Sequence, residues 1–102
     1  MASRLKLQTE LEEVLGSKNV YFQPPETVKM KYDAIVYDFS SISIRKADDL
    51  KYLKHKGYDL TVISRNPDND LVDKLLNRFQ YIRFNRRYKS ENLYHDSLTL
   101  YY

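Results

Sequence analysis

Apolar residues recur along this chain with two spacings, two and about three and a half residues. Tyr58, Leu60 and Val62 alternate with Asp59, Thr61 and Ile63, the period of a strand with one face in a core. Asn66-Pro67-Asp68-Asn69 stops that strand, because proline donates nothing to a ladder and Asn and Asp side chains bond back to nearby backbone. The same turn opens a helix. Asn66 or Asp68 is its expected cap, and Asp68 and Asp70 set negative charge at its positive end. Leu71, Val72, Leu75, Leu76 and Phe79 then fall within an arc of roughly 140° at about 100° per residue, a stripe that faces a core, and Arg78 suits the negative terminus.

The N-terminal stretch predicts another helix, opened by Ser3 as cap and closed by Gly16. Leu7, Leu11, Val14 and Leu15 form its buried stripe, Leu5 lies off it, and Glu10, Glu12 and Glu13 take the solvent side. Asn19 to Gln23 reads as a short strand ended by Pro24-Pro25.

Tyr32 to Arg45 is a strand whose phase changes midway. Ile35, Tyr37 and Phe39 share one face whereas Ile42 and Ile44 belong to the other, which predicts a bulge or sharp bend at Ser40-Ser41. In Lys46 to Lys56, Tyr52, Lys54 and Lys56 extend the phase of Tyr58, Leu60 and Val62 backward. A long antiparallel hairpin with its tip near Asp48-Asp49 accounts for this, its outer end projecting from the body; a short helix in ADDLKYL is the rival. Tyr81 to Lys89 alternates Ile82, Phe84 and Tyr88 against Arg83, Asn85 and Arg87, with Arg86 breaking the apolar face. A turn at Ser90 to Asn92 leads into a strand over Tyr94 to Tyr102, with Tyr94, Leu98, Leu100 and Tyr102 in phase. The order α-β-β-β-α-β-β with hairpin-length connections predicts one α+β domain over residues 1–102, an antiparallel or mixed sheet packed with two helices and a projecting arm at about 46–56.

Composition adds limits. A chain of 102 residues, 42% hydrophobic and 30% charged, is a soluble domain able to bury about two thirds of its unfolded surface. It has ten tyrosines and only two glycines; tyrosine serves half-buried strands and protein interfaces alike. The net charge of +3 comes from 17 basic and 14 acidic residues mixed along the chain, unlike the one-sided basic surface of most nucleic-acid binders. With no cysteine there is no disulfide framework, thiolate metal site or cysteine nucleophile. No apolar run reaches the ~20 residues of a membrane span and no signal-peptide core is seen, so the protein is expected to start its life in the cytoplasm.

Candidate chemistry is sparse. Asp68, Asp70 and Asp73 lack the glycine and terminal glutamate of a calcium loop, and helix capping explains them better. His95-Asp96 has no companion nucleophile, Gly-rich loop or HExxH, which leaves His95 as a hydrogen-bonded residue on the polar side of the last strand and predicts no enzyme, cofactor or metal. Arg83, Arg86, Arg87 and Lys89 interleave with Tyr81, Phe84 and Tyr88 in the manner of a single-strand-binding surface. In an extended strand Arg83 and Arg87 face away from Arg86, so the run is not a single patch, and salt bridges to a neighbouring subunit's acids account for it as well.

The segments PPETVKMKYDAIVY, YDLTVISRNPDNDLVDKL and RFNRRYKSENLYHDSLTLYY resemble, in order and spacing, small tail-completion proteins of long-tailed bacteriophages, the group of tail terminators and head-to-tail joining proteins. The likeness covers about Val20 to Tyr102 and contains no catalytic signature. It implies an α+β subunit of a six-membered ring at the head-proximal end of the tail tube, in the neck of the virion. Such a ring stops tube polymerisation and joins the tail to a head connector, and DNA passes through its lumen without specific binding. The implied partners are further copies of the chain, the tube protein and the connector, with no membrane. Candidate contact residues are Lys46, Asp48, Asp49, Tyr52, Leu53, Lys54 and Lys56 on the arm, with Arg83, Arg86 and Arg87. The rival is a small nucleic-acid-binding regulator that uses the Arg83–Lys89 strand.

Overall fold

The computed structural model describes residues 4–25, 29–47 and 50–102, and of residues 41–55 the backbone only. Seven elements follow in the expected order: α1 (Arg4–Leu15), β1 (Val20–Phe22), β2 (Ala34–Ala47), β3 (Leu50–Ser64), α2 (Leu71–Arg78), β4 (Ile82–Ser90) and β5 (Leu93–Tyr101). The strands make one mixed sheet in the order β1-β2-β3-β5-β4. β1 runs parallel to β2, and every other pairing is antiparallel. The last strand in sequence therefore sits inside the sheet, and β4 forms an edge.

Alternation decides which side is covered. Val20, Ile35, Tyr37, Tyr58, Leu60, Val62, Leu98 and Leu100 point to one face, where Leu7, Leu11 and Val14 of α1 and Leu71, Leu75 and Phe79 of the second helical segment close over them. Each large side chain buried there contributes about 1.5–3 kcal/mol. Leu15 and Val72 join that core only partly, Leu5 is 67% exposed, and Leu76 is also exposed. Gly16 closes α1 as expected: at φ +82° it takes the left-handed conformation while its N–H bonds the Glu12 carbonyl at 2.9 Å. Ser3 lies outside the described residues.

Polar groups tie the helices down. The buried Tyr37 hydroxyl donates to Gln8 Oε1 at 2.5 Å and accepts from Arg4 Nη1 at 3.2 Å, and Gln8 Nε2 reaches the Val20 carbonyl at 3.0 Å. Burial pushes the Tyr37 phenol above its ordinary pKa. Glu10 does not stay on the solvent side. It accepts hydrogen bonds from Tyr102 and from Arg78, and Arg78 also reaches Glu13 at 2.8 Å, so the arginine links α2 to α1.

The expected caps of α2 move. The helix begins at Leu71 with Asp70 at its N-cap position and no side-chain cap bond. Asn66 organises the turn instead: its Oδ1 accepts from Asp68 N–H at 3.0 Å and its carbonyl from Asn69 Nδ2 at 2.8 Å. Asn69 Oδ1 in turn accepts from Leu71 N–H at 3.1 Å. Asx turns at Asn66 and Asn69 thus shape the approach to the helix in place of a side-chain cap.

Candidate assembly surface

Beyond Lys56 and its partner Ile42 the β2–β3 ladder leaves the body of the sheet. Just before, it crosses a register shift between Phe39 and Ser41, at the position where the apolar phase slips, and it runs on through Ala47 opposite Leu50. At roughly 3.4 Å per residue this ribbon extends about 20 Å past the sheet, within a molecule measuring 50 × 26 × 22 Å. Its root is fastened by the last residue of the chain, since Lys56 and Tyr102 exchange N–H···O bonds at 3.1 and 2.9 Å. Burial, followed by the bond to Glu10, pushes the Tyr102 phenol up to about 12. Beyond Lys56 no third strand flanks the ribbon among the described residues. The strand from Leu50 onward replaces the rival helix over the later part of ADDLKYL. A second register shift falls between Arg45 and Lys46. Lys46, Tyr52, Leu53 and Lys54 all lie on the ribbon backbone, Lys56 is a half-buried residue at its root, and Asp48 and Asp49, the expected tip, lie outside the described residues.

The arginines of β4 are not distributed as an uninterrupted strand would distribute them. A register shift between Phe84 and Arg86 leaves Asn85 as an extra residue. Before the bulge, Arg83 pairs with Thr99; after it, Arg86 pairs with Ser97, and Arg87 with Asp96. Thr99 and Ser97 lie on the sheet face away from the helices, Asp96 on the covered face, so Arg83 and Arg86 share a face and Arg87 points the other way. The expectation that Arg83 and Arg87 oppose Arg86 is thus corrected, because one inserted residue reverses the phase of everything after it. The arm leaves the sheet at its Gly57–Tyr101 end, near the row of Arg83, while Arg86 and Arg87 lie farther along β4, so those two arginines stand apart from the arm.

Arg87 belongs to the fold. Its guanidinium grips Asp96 through Nε–Oδ1 at 2.6 Å and Nη2–Oδ2 at 3.1 Å, and Nη1 donates to the Pro67 carbonyl at 2.8 Å. These bonds to Asp96 raise its pKa above the ordinary arginine value. The Asp96 side chain is 1% exposed and that of Arg87 38%. The pair floors an open groove of about 350 Å³ between α2 and β4, walled by Val72, Leu76 and Phe84.

The face away from the helices is open over much of its width. Arg83 Nε donates to Asn85 Oδ1 at 3.2 Å, and Asn85 Nδ2 to Thr99 Oγ1 at 2.9 Å. The Arg86 guanidinium lies 5.1 Å from the centre of the Tyr88 ring, which stacks on His95 at 4.9 Å. His95 is on the polar side of its strand, with Nδ1 3.2 Å from the Leu93 carbonyl. Two strands inward, Asp38 faces Asp59 directly across the β2–β3 ladder, both exposed. Sequence reading missed this pair. The alternation puts each aspartate opposite its strand's apolar phase, but only the register sets one against the other. Asp68, Asp70 and Asp73 do not gather either; among the described residues no three His, Asp or Glu side chains converge as a metal site. No described helix is long and apolar enough to cross a membrane. Compared with known families and with curated proteins, the sequence matches no family model and no protein.

Proposed function

We propose that this protein is a structural subunit of a bacteriophage tail, a tail-completion or terminator protein that rings the head-proximal end of the tail tube, stops its growth and joins it to the head connector. The observation that carries the reading is the β2–β3 ribbon. A two-stranded hairpin alone is marginal in water, yet this one runs on past the end of β5 with no described strand beside it. Contact with a neighbouring subunit or the tube supplies what the ribbon lacks within one chain, and lysines of the arm meet acidic groups there. In this reading the chain carries no chemistry, DNA crosses the ring lumen unread, and the protein resides in the virion neck.

The test excises residues 42–55 and joins the strand stumps by a short turn. The described core is built from residues outside that segment, so the shortened protein is expected to fold and stay soluble, but tails made with it grow to uncontrolled length under the electron microscope. Normal tails joined to heads would refute the reading.

One observation favours a second reading, a nucleic-acid binder: Arg83 and Arg86 share an open face with Tyr88 and His95. Against it, Asp38 and Asp59 occupy the same face and repel phosphate. Retention on single-stranded DNA over a salt series separates the two, because two phosphate contacts give a slope near −1.4 in log K against log salt, whereas the assembly reading gives no salt-dependent retention.

A further inference from the structure

The open face of the sheet is divided by charge. Asp38 and Asp59 stand opposite one another on β2 and β3, and neither pairs with a cation among the described residues. Like charges in facing cross-strand positions destabilise a sheet, so the pair is a standing cost in the isolated chain. Arg83 and Arg86 stand on the edge strand with no carboxylate partner among the described residues. Arg83 shares one cross-strand row with the acids, in the order Asp38, Asp59, Thr99, Arg83. At about 4.8 Å per strand, Arg83 stands roughly 10 Å from Asp59 and 14 Å from Asp38. That is a Debye length or more at physiological salt, which is ~8 Å, so the two halves do not neutralise each other within one chain.

We infer that the open sheet face is a head-to-tail interface between copies of this chain, in which the Arg83–Arg86 rim of one copy laps onto the Asp38–Asp59 half of the next. Only one class of occupant satisfies the whole face. A nucleic acid is attracted to the rim and repelled by the acids, and an acidic peptide leaves Asp38 and Asp59 as they were. A second copy carries both signs in the same arrangement. β4 is suited to lap because it is an edge strand whose residues from Arg83 to Ser90 are all exposed. Tyr88 and Tyr101, also exposed on this face, add apolar area beside the charges. When the two copies are offset so that one rim laps one acidic half, each contact leaves one free half at either end, and such heterologous contacts propagate until they close a ring, whereas a two-fold face-to-face pairing would satisfy both halves at once and stop at a dimer. The inference rests on the ring reading and names the surface through which the ring closes.

The test uses full-length protein and two charge-reversed variants, Asp38→Lys with Asp59→Lys, and Arg83→Glu with Arg86→Glu. All four positions are exposed, and a facing lysine pair retains the like-charge repulsion of the facing aspartates, so stability is matched; thermal melts verify this. Sedimentation begins at about 0.01 M salt, where the Debye length is ~30 Å, and is repeated toward about 1 M, where it is ~3 Å. The wild-type protein assembles beyond a dimer as its concentration rises, and salt dissociates it. Each variant alone remains a monomer, and an equimolar mixture assembles again, because the lysine half of one meets the glutamate rim of the other and the native halves meet in turn. The milder Asp38→Asn with Asp59→Asn variant weakens assembly without abolishing folding. A wild-type protein that stays monomeric throughout, variants that assemble as well as wild type, or a mixture that stops at a heterodimer would each overturn the inference. No tail component is present, so these outcomes are separate from the tube-length experiment: charge-reversed protein that still caps tails defeats this interface and leaves the ring reading intact.

Discussion

Replacing Arg87 by leucine should destabilise the fold far more than an exposed arginine suggests. The change removes the bidentate bond to Asp96 and the bond to the Pro67 carbonyl, and strands a carboxylate that is 1% exposed on the core face of β5. Breaking a fully buried ion pair costs about 3–5 kcal/mol. Arg87 itself is 38% exposed and the adjoining groove is open, so water softens the loss; screening lowers the figure to about 2–3 kcal/mol. Against a typical total of about 5–15 kcal/mol this is a large share, and for a chain of this size it lowers Tm by roughly 10–20 °C. The complementary change, Asp96→Val, costs less, because the freed arginine turns to solvent. Joining both substitutions recovers most of the loss, since an apolar pair of similar volume replaces a buried ion pair with little penalty. Urea unfolding of the wild type, both single variants and the double variant at neutral pH closes the cycle. An Arg87→Leu cost under about 0.5 kcal/mol, or equal costs for the two single changes, would refute the assignment of Asp96 as a buried charge that depends on Arg87.

The β4–β5 turn places two non-glycine residues in the left-handed region, Glu91 at φ 52° and Asn92 at φ 64°, between the paired Ser90 and Leu93. Glu91→Asn together with Asn92→Gly, the preferred pair for such a turn, raises stability by about 1 kcal/mol in urea melts. Burial raises the Glu10 carboxyl, but hydrogen bonds from Tyr102 and Arg78 outweigh it and the net pKa is lowered. A depressed carboxyl binds fewer protons folded than unfolded, so its stabilisation is present above the ordinary glutamate pKa and lost as pH falls through the folded value; Glu10→Gln flattens that acid limb. The raised Tyr102 phenol has the opposite sign, with stability lost as pH climbs from about 10 to about 12, a limb that Tyr102→Phe shrinks in pH-dependent melts. Removing Leu98 to Tyr102 abolishes cooperative folding, because it takes Leu98 and Leu100 from the core and half of the strand that joins β4 to the sheet; a truncated chain with a sharp native-like melt would contradict this.

The fold was legible where one chain segment carries its own instruction. The period-two runs and the 3.6-residue stripes place all seven elements in order, and the misphased Ile42 and Ile44 mark the bulge before them. The second bulge left no such trace. Tyr88 is in phase with Phe84 by simple counting, and tyrosine tolerates either face, so the extra residue at Asn85 hid behind an apparently regular alternation. That one residue decides the site, since it gives Arg83 and Arg86 to the open face and Arg87 to Asp96. Asp96 itself sits within the apolar phase of Tyr94, Leu98 and Leu100, a polar residue in a core register whose partner only the folded ladder supplies. The parallel β1–β2 pairing and the insertion of β5 beside β3 are long-range choices that no local pattern encodes.

The strand order β1-β2-β3-β5-β4 also describes how the chain comes together. Two of its ladders, β2–β3 and β4–β5, are hairpins that close between neighbours in sequence, the second through a two-residue turn. Hairpins of this kind form in microseconds. The β3–β5 seam, from Gly57 opposite Tyr101 to Ser64 opposite Tyr94, is different: it joins segments separated by the whole of α2 and β4. It is also where Leu60 and Val62 meet Leu98 and Asp96. The two hairpins are thus the local contacts of the domain and the β3–β5 seam its long-range one, so closing that seam carries the larger loop-closure cost, and neither hairpin gains its full core until it closes.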